Sequence, residues 1–136
     1  DQLIRPALAE NRIVLCDRFI DSSRAYQGVT GNLNATYMAA IERIAIDGAM
    51  PDLTIILDIP AEKGLSRANK RRGADVADRF EKEAIAVHEA RRQAFLAIAK
   101  AEPDRCRIVD ADRAQDVISA DIIAIADEIL KKRGLL

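Results

Sequence analysis

The chain has 136 residues, of which 49% are hydrophobic and 32% charged, a balance typical of one globular domain that can bury a core. Lys and Arg number 21 against 22 Asp and Glu, which argues against a general binder of nucleic acid or of membrane surfaces. No apolar stretch is long enough to cross a bilayer, so we expect a single domain over residues 1–136 in the cytoplasm, with no nucleic-acid or membrane partner.

The first predicted elements are a helix and a short strand. Apolar residues predict a helix over residues 2–11, in which Pro6 fits only near the start or at a kink. The run over residues 12–16 is rich in β-branched residues and predicts a strand covered on both faces. Because Asp1 lies inside the predicted helix, we expect a truncated domain whose first elements precede Asp1.

Two more strands, at residues 53–57 and 107–109, alternate with helices along the rest of the chain. The helices are expected over residues 34–47, from Pro60, over about 79–101 and over 115–132. The apolar residues predicted on one face of the 34–47 helix are Tyr37, Met38, Ile41, Ile44 and Ala45. This alternation predicts an α/β fold with a mostly parallel sheet. The two cysteines, Cys16 and Cys106, lie in apolar runs and are expected to be buried free thiols.

A polar cluster follows the first predicted strand. Asp17 and Arg18 stand where open α/β sheets bind ligands, and a guanidinium offers donors suited to phosphate. The hydroxyl and amide side chains that come next could recognise a polar ring; they are Ser22, Ser23, Tyr26 and Gln27. The alternative for Asp17 and Arg18 is a structural ion pair at the strand exit.

A basic segment lies between two predicted helices, around Gly73. Its cations are Arg67, Lys70, Arg71, Arg72 and Arg79. Phosphoryl transfer needs cations on the transferring group, and a loop that closes can deliver them while excluding water. The alternative is a solvated basic helix end.

The other strand exits also carry carboxylates. Asp112, after the third strand, could cap the last helix, or the backbone of residues 110–114 could contact a purine. Asp58, after the second strand, could lie near a metal ion or cap the helix that begins at Pro60.

Taken in order, these motifs resemble bacterial thymidylate kinase. The segments that carry the resemblance are Asp17-Arg18-Phe19, Ser22-Ser23, Ala25–Gly28, Pro51–Asp58, Gly64-Leu65 and the arginine-rich residues 67–81. The resemblance implies a P-loop nucleoside-monophosphate-kinase-like three-layer fold with a mostly parallel sheet, incomplete at the N-terminus. It also implies transfer of the γ-phosphate of ATP to dTMP, giving dTDP, with Mg²⁺, in a homodimer whose surface includes the helix of residues 37–46.

On the dTMP side, the resemblance assigns a role to five residues. Arg18 corresponds to the arginine that holds the dTMP phosphate, and Asp17 to the acid beside the magnesium ion and the phosphates. Ser23 and Gln27 correspond to positions near thymine. Tyr26 corresponds to the tyrosine beside the deoxyribose, where it disfavours a 2′-hydroxyl.

On the ATP side, the resemblance implies a lid over about residues 67–79. Its arginines Arg67, Arg71 and Arg72 resemble those that meet the ATP phosphates or stack on adenine. Asp112 and Arg113 resemble the loop on the adenine side.

The chain departs from the family in one motif. No Gly-x-x-x-x-Gly-Lys-Ser/Thr loop, which cradles phosphates with backbone N–H groups, occurs in the 136 residues. We expect that loop to precede Asp1 and the chain alone to be inactive. The alternatives to a dTMP kinase are another nucleoside monophosphate kinase and a non-catalytic nucleotide-binding module.

Overall fold

The computed structural model describes residues 3–30, 34–72 and 80–136. The chain divides into two compact units, Asp1–Met50 and Pro51–Leu136. None of the helices within the described ranges is long and apolar enough to cross a membrane.

The first unit contains three helices: α1 (Ile4–Ala9), α2 (Ile20–Thr30) and α3 (Ala35–Ile46). Pro6 lies in the first turn of α1, where its missing N–H leaves no hydrogen bond unmade. α2 packs against α3. The buried apolar side chains of this unit are Ile20, Ala25, Met38 and Ile46.

Both ends of α3 are fixed by side chains, as the prediction over residues 34–47 requires. The Asn34 side chain accepts a hydrogen bond from the Thr36 backbone N–H at 2.8 Å and caps the helix start. Asp47 ends the helix with φ 43°, and its carboxylate accepts a hydrogen bond from Arg5 at 2.7 Å. The predicted apolar face is divided: Met38 is buried, whereas Tyr37, Ile41 and Ile44 are 59%, 42% and 75% exposed.

The strand predicted at residues 12–16 is wrong. In the part of the chain that the structure describes, this segment pairs with no strand and belongs to no sheet. Leu15 is 98% exposed, and Cys16, expected to be buried, is an exposed free thiol. An apolar run becomes a strand only beside a partner strand, which the pattern of residues 12–16 cannot supply.

The second unit contains both described strands. It runs β1 (Thr54–Asp58), α4 (Ala61–Arg72), α5 (Phe80–Ala101), β2 (Cys106–Asp110) and α6 (Gln115–Lys132). β1 and β2 pair in parallel, with Thr54 opposite Cys106 and Asp58 opposite Asp110. Both strand predictions in this unit are confirmed, and so is the parallel α/β arrangement.

The core of the second unit lies between the sheet and α5. Ile56, Ala99 and Cys106 are buried together, with Phe95 and Ile98 packed against them. α5 packs against both strands and α6 against β2. Because β1 and β2 pair in parallel with Asp58 opposite Asp110, the two strands end side by side at the same end of the sheet.

Arg105 joins the opposite, amino ends of the two strands. It is 11% exposed and donates from Nε to the Glu102 carboxylate at 2.8 Å. Its Nη1 donates to the Thr54 hydroxyl at 2.6 Å.

Candidate functional site

Arg18, Ser22 and Tyr26 come together at the start of α2. The Arg18 guanidinium carbon lies 4.6 Å from the centroid of the Tyr26 ring, a cation–π geometry. The Arg18 Nε donates to the Ser22 hydroxyl at 3.4 Å. The three residues are four positions apart, so the helical repeat of α2 aligns Ser22 and Tyr26 on the side that faces Arg18.

Arg18 has a backbone conformation that is uncommon for a side-chain-bearing residue. Its φ is 62°, and its carbonyl accepts a weak hydrogen bond from the Cys16 thiol at 3.5 Å. Such a conformation persists where neighbouring contacts hold it, and it concentrates at functional sites.

The other residues predicted for this cluster lie close by in the chain without joining its contacts. Asp17 is exposed and forms no ion pair with Arg18, so the interpretation of the two residues as a structural ion pair is wrong. Ser23 is half-buried and Gln27 is exposed.

A network of three charged residues fixes α2 against α3. Asp21 is only 4% exposed. Arg24 donates from Nε to the Glu42 carboxylate at 2.8 Å and from Nη1 to Asp21 at 3.4 Å. This network sets the rotation of the helix that carries Ser22 and Tyr26. The three-residue spacing of Asp21 and Arg24 signals their pairing, but Glu42 is 18 positions from Arg24 and carries no local signal.

In the second unit, α4 contacts the loop after β2 through two side chains one turn apart. Arg67 donates from Nη1 to the Ala111 carbonyl at 2.8 Å and lies 3.4 Å from the Asp112 carboxylate. Lys63 forms an ion pair with the same carboxylate. Asp112 therefore does not cap α6, whose N-cap residue is Ala114, and the capping interpretation is wrong.

The 110–113 loop is held by its own side chains as well. The Asp110 carboxylate accepts a hydrogen bond from the Asp112 backbone N–H at 2.8 Å. Arg113 donates from Nε to the Asp110 carbonyl at 3.0 Å and forms an ion pair with Asp121 of α6. The structure thus brings Arg67, Asp112 and Arg113 to one loop.

Asp58, at the exit of β1, binds Arg92 of α5 through both carboxylate oxygens. The two distances are 2.6 Å to Arg92 Nε and 2.9 Å to Nη2. This hydrogen bonding lowers the pKa of Asp58 below its ordinary value of 3.8. The third nitrogen, Nη1, donates to Glu89 at 3.0 Å. Asp58 thus pairs with Arg92, and sequence reasoning missed Arg92 and Glu89.

Part of the predicted lid lies outside the residues that the structure describes. α4 ends at Arg72 and α5 begins at Phe80, so the lid predicted at about 67–79 begins within α4. The side chains of Arg71 and Arg72, and all of residues 73–79, lie outside the described residues.

A single carboxylate, Asp17, is the candidate for contact with a metal ion. Among the residues that the structure describes, no three His, Cys, Asp or Glu side chains form a group that could hold a metal by themselves. Mg²⁺ bound with a nucleotide needs only one or two protein carboxylates, because phosphates and water supply the other ligands. The donor set fits a nucleotide-bound Mg²⁺ but not an all-protein metal site.

Comparison with known proteins identifies the family. The family model described as thymidylate kinase matches residues 1–122. The chain belongs to the thymidylate kinase family. The matched span contains both the Arg18 cluster and the 110–113 loop, so the two sets of candidate residues lie within the thymidylate kinase region.

Two curated thymidylate kinases are similar along nearly the whole chain. The thymidylate kinase of Caulobacter vibrioides is 48% identical over 135 residues, which is 99% of this chain and 62% of that protein. That of Bartonella quintana is 45% identical over 130 residues, 95% of this chain and 61% of that protein. The chain therefore spans about three fifths of the length of these relatives.

A solved structure supports the fold. The crystal structure of thymidylate kinase from Ehrlichia chaffeensis superposes with a TM-score of 0.68 at 26% identity, covering 93% of this chain and 56% of that one. The predicted fold, that of the P-loop nucleoside monophosphate kinases, is confirmed.

Proposed function

We propose that the intact protein transfers the γ-phosphate of ATP to dTMP, giving dTDP. The observation that carries the proposal is the 48% identity to a thymidylate kinase over 99% of the chain. The Arg18 cluster supports it, because a guanidinium beside an aromatic ring and hydroxyls suits a nucleoside monophosphate. The transferred phosphate ends on an oxygen of the dTMP phosphate, and ADP leaves.

On the acceptor side, Arg18 binds and orients the dTMP phosphate. The Tyr26 ring beside it lies against the deoxyribose and leaves no room for a 2′-hydroxyl. Ser23 and Gln27 hydrogen-bond the thymine ring. These roles follow the family resemblance, and the stacking of Arg18 on Tyr26 supports placing phosphate and sugar next to each other.

On the donor side, Arg67 and the 110–113 loop hold the adenine end of ATP. The contact of Arg67 with Ala111 supports this, since it keeps the guanidinium against the loop. Asp112 and Arg113 shape that loop, while Arg71 and Arg72 of the lid meet the ATP phosphates or stack on adenine. Cations placed on the transferring group stabilise the charge that develops on its oxygens, which is the main requirement of phosphoryl transfer.

Asp17 is the residue that would contact Mg²⁺, together with the phosphates of the nucleotides. Bound there, the ion supplies charge neutralisation on the phosphate oxygens. Asp17 and Arg18 are adjacent, so the carboxylate and the guanidinium reach the same phosphates from neighbouring positions.

We also propose that this chemistry requires a phosphate-binding loop in addition to these 136 residues. No Gly-x-x-x-x-Gly-Lys-Ser/Thr motif occurs among them, so the chain on its own is inactive toward dTMP. The single domain with its lid at about 67–79 is part of the same proposal, as is action in the cytoplasm.

The proposed partner is a second copy of the protein. Tyr37, Ile41 and Ile44 project from one face of α3 and are exposed, which is unusual for three large apolar side chains at helical spacing. A homodimer that buries this face of α3 explains the pattern.

The test is a kinase assay on the intact protein with ATP, Mg²⁺ and dTMP. We expect turnover, and Arg18→Ala is expected to reduce kcat/KM for dTMP by about a hundredfold, since the lost charge-assisted hydrogen bonds contribute about 3 kcal/mol. Arg12→Ala is the matched control, because the ion pair that Arg12 forms with Glu10 is exposed and contributes little. Normal turnover by Arg18→Ala would exclude the role given to Arg18.

Competition among nucleotides tests the acceptor. We expect dTMP to be preferred over dUMP, UMP and AMP, with UMP disfavoured by its 2′-hydroxyl at Tyr26. Preference for another nucleoside monophosphate would show that dTMP is not the acceptor substrate. Absence of any turnover by the intact protein would favour a non-catalytic nucleotide-binding module.

A further inference from the structure

Arg92 joins the exit of β1 to α5 and has no part in the function proposed above. All three of its guanidinium nitrogens are used: Nε and Nη2 on Asp58 at the exit of β1, and Nη1 on Glu89 of its own helix. A planar fork that satisfies two carboxylates in this way fixes both of them relative to α5.

Glu89 carries this connection on to α4. Its carboxylate accepts a hydrogen bond from Gln93 at 2.8 Å, and its proximity to the backbone N–H of Ala61, the first residue of α4, helps to lower the pKa of Glu89. The first N–H groups of a helix have no partner within the helix. The Glu89 side chain of α5 therefore faces the start of α4, which packs against α5.

Asp58 carries the connection to the loop after β2. Its backbone carbonyl accepts a hydrogen bond from the Ala111 N–H at 2.8 Å. The Ala111 carbonyl in turn accepts from Arg67 Nη1 at 2.8 Å. Arg67 lies less than two helical turns beyond Ala61, so α4 itself closes the path.

These contacts form a closed ring, which we call the Arg92 ring. Its members are Arg92, Asp58, Ala111, Arg67, Ala61 and Glu89. In a closed ring each hydrogen bond is held by the others, so its members move together.

We propose that Arg92 is a positioning residue for ATP, which acts through the Arg92 ring to hold Arg67 and the 110–113 loop at their proper separation. The reference to ATP rests on the proposed function, whereas the ring rests on the contacts themselves. Arg92 touches no substrate, and it acts by fixing the ends of the two elements that meet at the nucleotide.

The kinetic test compares Arg92→Lys with Arg105→Lys in the intact protein. Lysine keeps the positive charge, but its ammonium group lacks the planar guanidinium that hydrogen-bonds Asp58 and Glu89 at the same time. Arg105 is the matched control, because it is a well-buried arginine at the opposite edge of the same sheet. We expect Arg92→Lys to raise KM for ATP about tenfold, as loss of one charge-assisted hydrogen bond implies, with KM for dTMP unchanged. Arg105→Lys is expected to lower Tm and leave both KM values unchanged.

A double variant tests whether Arg92 acts through Arg67. Added to Arg67→Ala, the Arg92→Lys change should raise KM for ATP no further, because both changes affect the same side chain. Independent, additive effects of the two changes would overturn the proposal.

Amide hydrogen exchange tests the ring without any activity. The Ala111 N–H donates within the ring and the Ala61 N–H faces Glu89, so both should exchange faster in Arg92→Lys and not in Arg105→Lys. Wild-type protection of both amides in Arg92→Lys overturns the proposal, whatever the kinetics. If the wild-type protein does not phosphorylate dTMP, the proposed function and the ATP role fail together, while exchange still decides the ring.

Glu89→Ala gives a second variant in case Arg92→Lys does not fold. Glu89 is partly exposed, and its removal takes away the carboxylate that faces the Ala61 N–H and accepts from Arg92 and Gln93, while the pair of Arg92 with Asp58 remains. We expect faster exchange at Ala61 and a higher KM for ATP. If neither the exchange rate at Ala61 nor the KM for ATP changes, the proposal is overturned.

Discussion

At the scale of single residues, Arg18 shows how the proposed phosphate-binding group is held without a ligand. Its positive φ costs about 1 kcal/mol or more, and this conformation persists only because neighbouring contacts favour it. The Tyr26 ring at 4.6 Å and the Ser22 hydroxyl at 3.4 Å are those contacts. In the proposed function, Tyr26 therefore acts on the phosphate through Arg18 as well as on the sugar directly.

This second effect of Tyr26 can be separated from the first. Tyr26→Leu removes the ring and should raise KM for dTMP roughly three- to tenfold, the range of a partly exposed cation–π contact. Tyr26→Phe keeps the ring and should stay near the wild type. Thymidine, which has no phosphate for Arg18, is the control ligand: it reports the sugar contact alone, so the Leu variant should weaken thymidine binding by a smaller factor than it weakens dTMP binding. Equal KM values for dTMP in the two variants would show that the ring does not support Arg18.

At the scale of elements, the sequence predicts helices and paired strands well because these depend on local periodicity. β1, β2, α3 and α6 all lie where short apolar runs, Gly and Pro place them. Residues 12–16 have the same strand pattern but no partner strand among the described residues. The pattern therefore indicates a preference for extended backbone, and a partner strand is needed to form a sheet.

Contacts between distant elements account for most of what sequence reasoning missed. Asp58 and Arg92 are 34 positions apart, and nothing in their local sequence indicates that they pair. The Arg18 cluster could be predicted because its members lie on one short segment around one helix. The Arg92 ring could not, since it depends on the packing of α4 and α5 against the strand exits.

The link between α5 and β1 should appear in the pH dependence of stability. Because Arg92 lowers the pKa of Asp58, its carboxylate stabilises the folded state at any pH above the ordinary value of 3.8. That contribution should be lost as the pH falls from 3.8 through the lower folded pKa. We expect Asp58→Asn to reduce the free energy of unfolding by about 2 kcal/mol at pH 7, and the difference from wild type to shrink in acid.

Denaturant unfolding at a series of pH values measures this difference. Asp52→Asn is the matched control, because Asp52 and its partner Arg133 are both more than half exposed and such a pair contributes little. A wild-type advantage over Asp58→Asn that persists undiminished in acid would contradict the assignment of the stabilising charge to Asp58.

At the scale of the whole molecule, the apolar face of α3 predicts how two copies of the protein meet. Ile44 is 75% exposed on the same face as Tyr37 and Ile41, so Ile44→Glu would place an unpaired charge within the proposed dimer interface. We expect the dimer dissociation constant to rise at least about a hundredfold, measured by sedimentation equilibrium. Ala39→Glu introduces the same side chain at an exposed position off this face, and it should leave the dimer intact. Equal weakening by both variants would point to a loss of α3 itself, and no weakening by Ile44→Glu would remove this face from the interface.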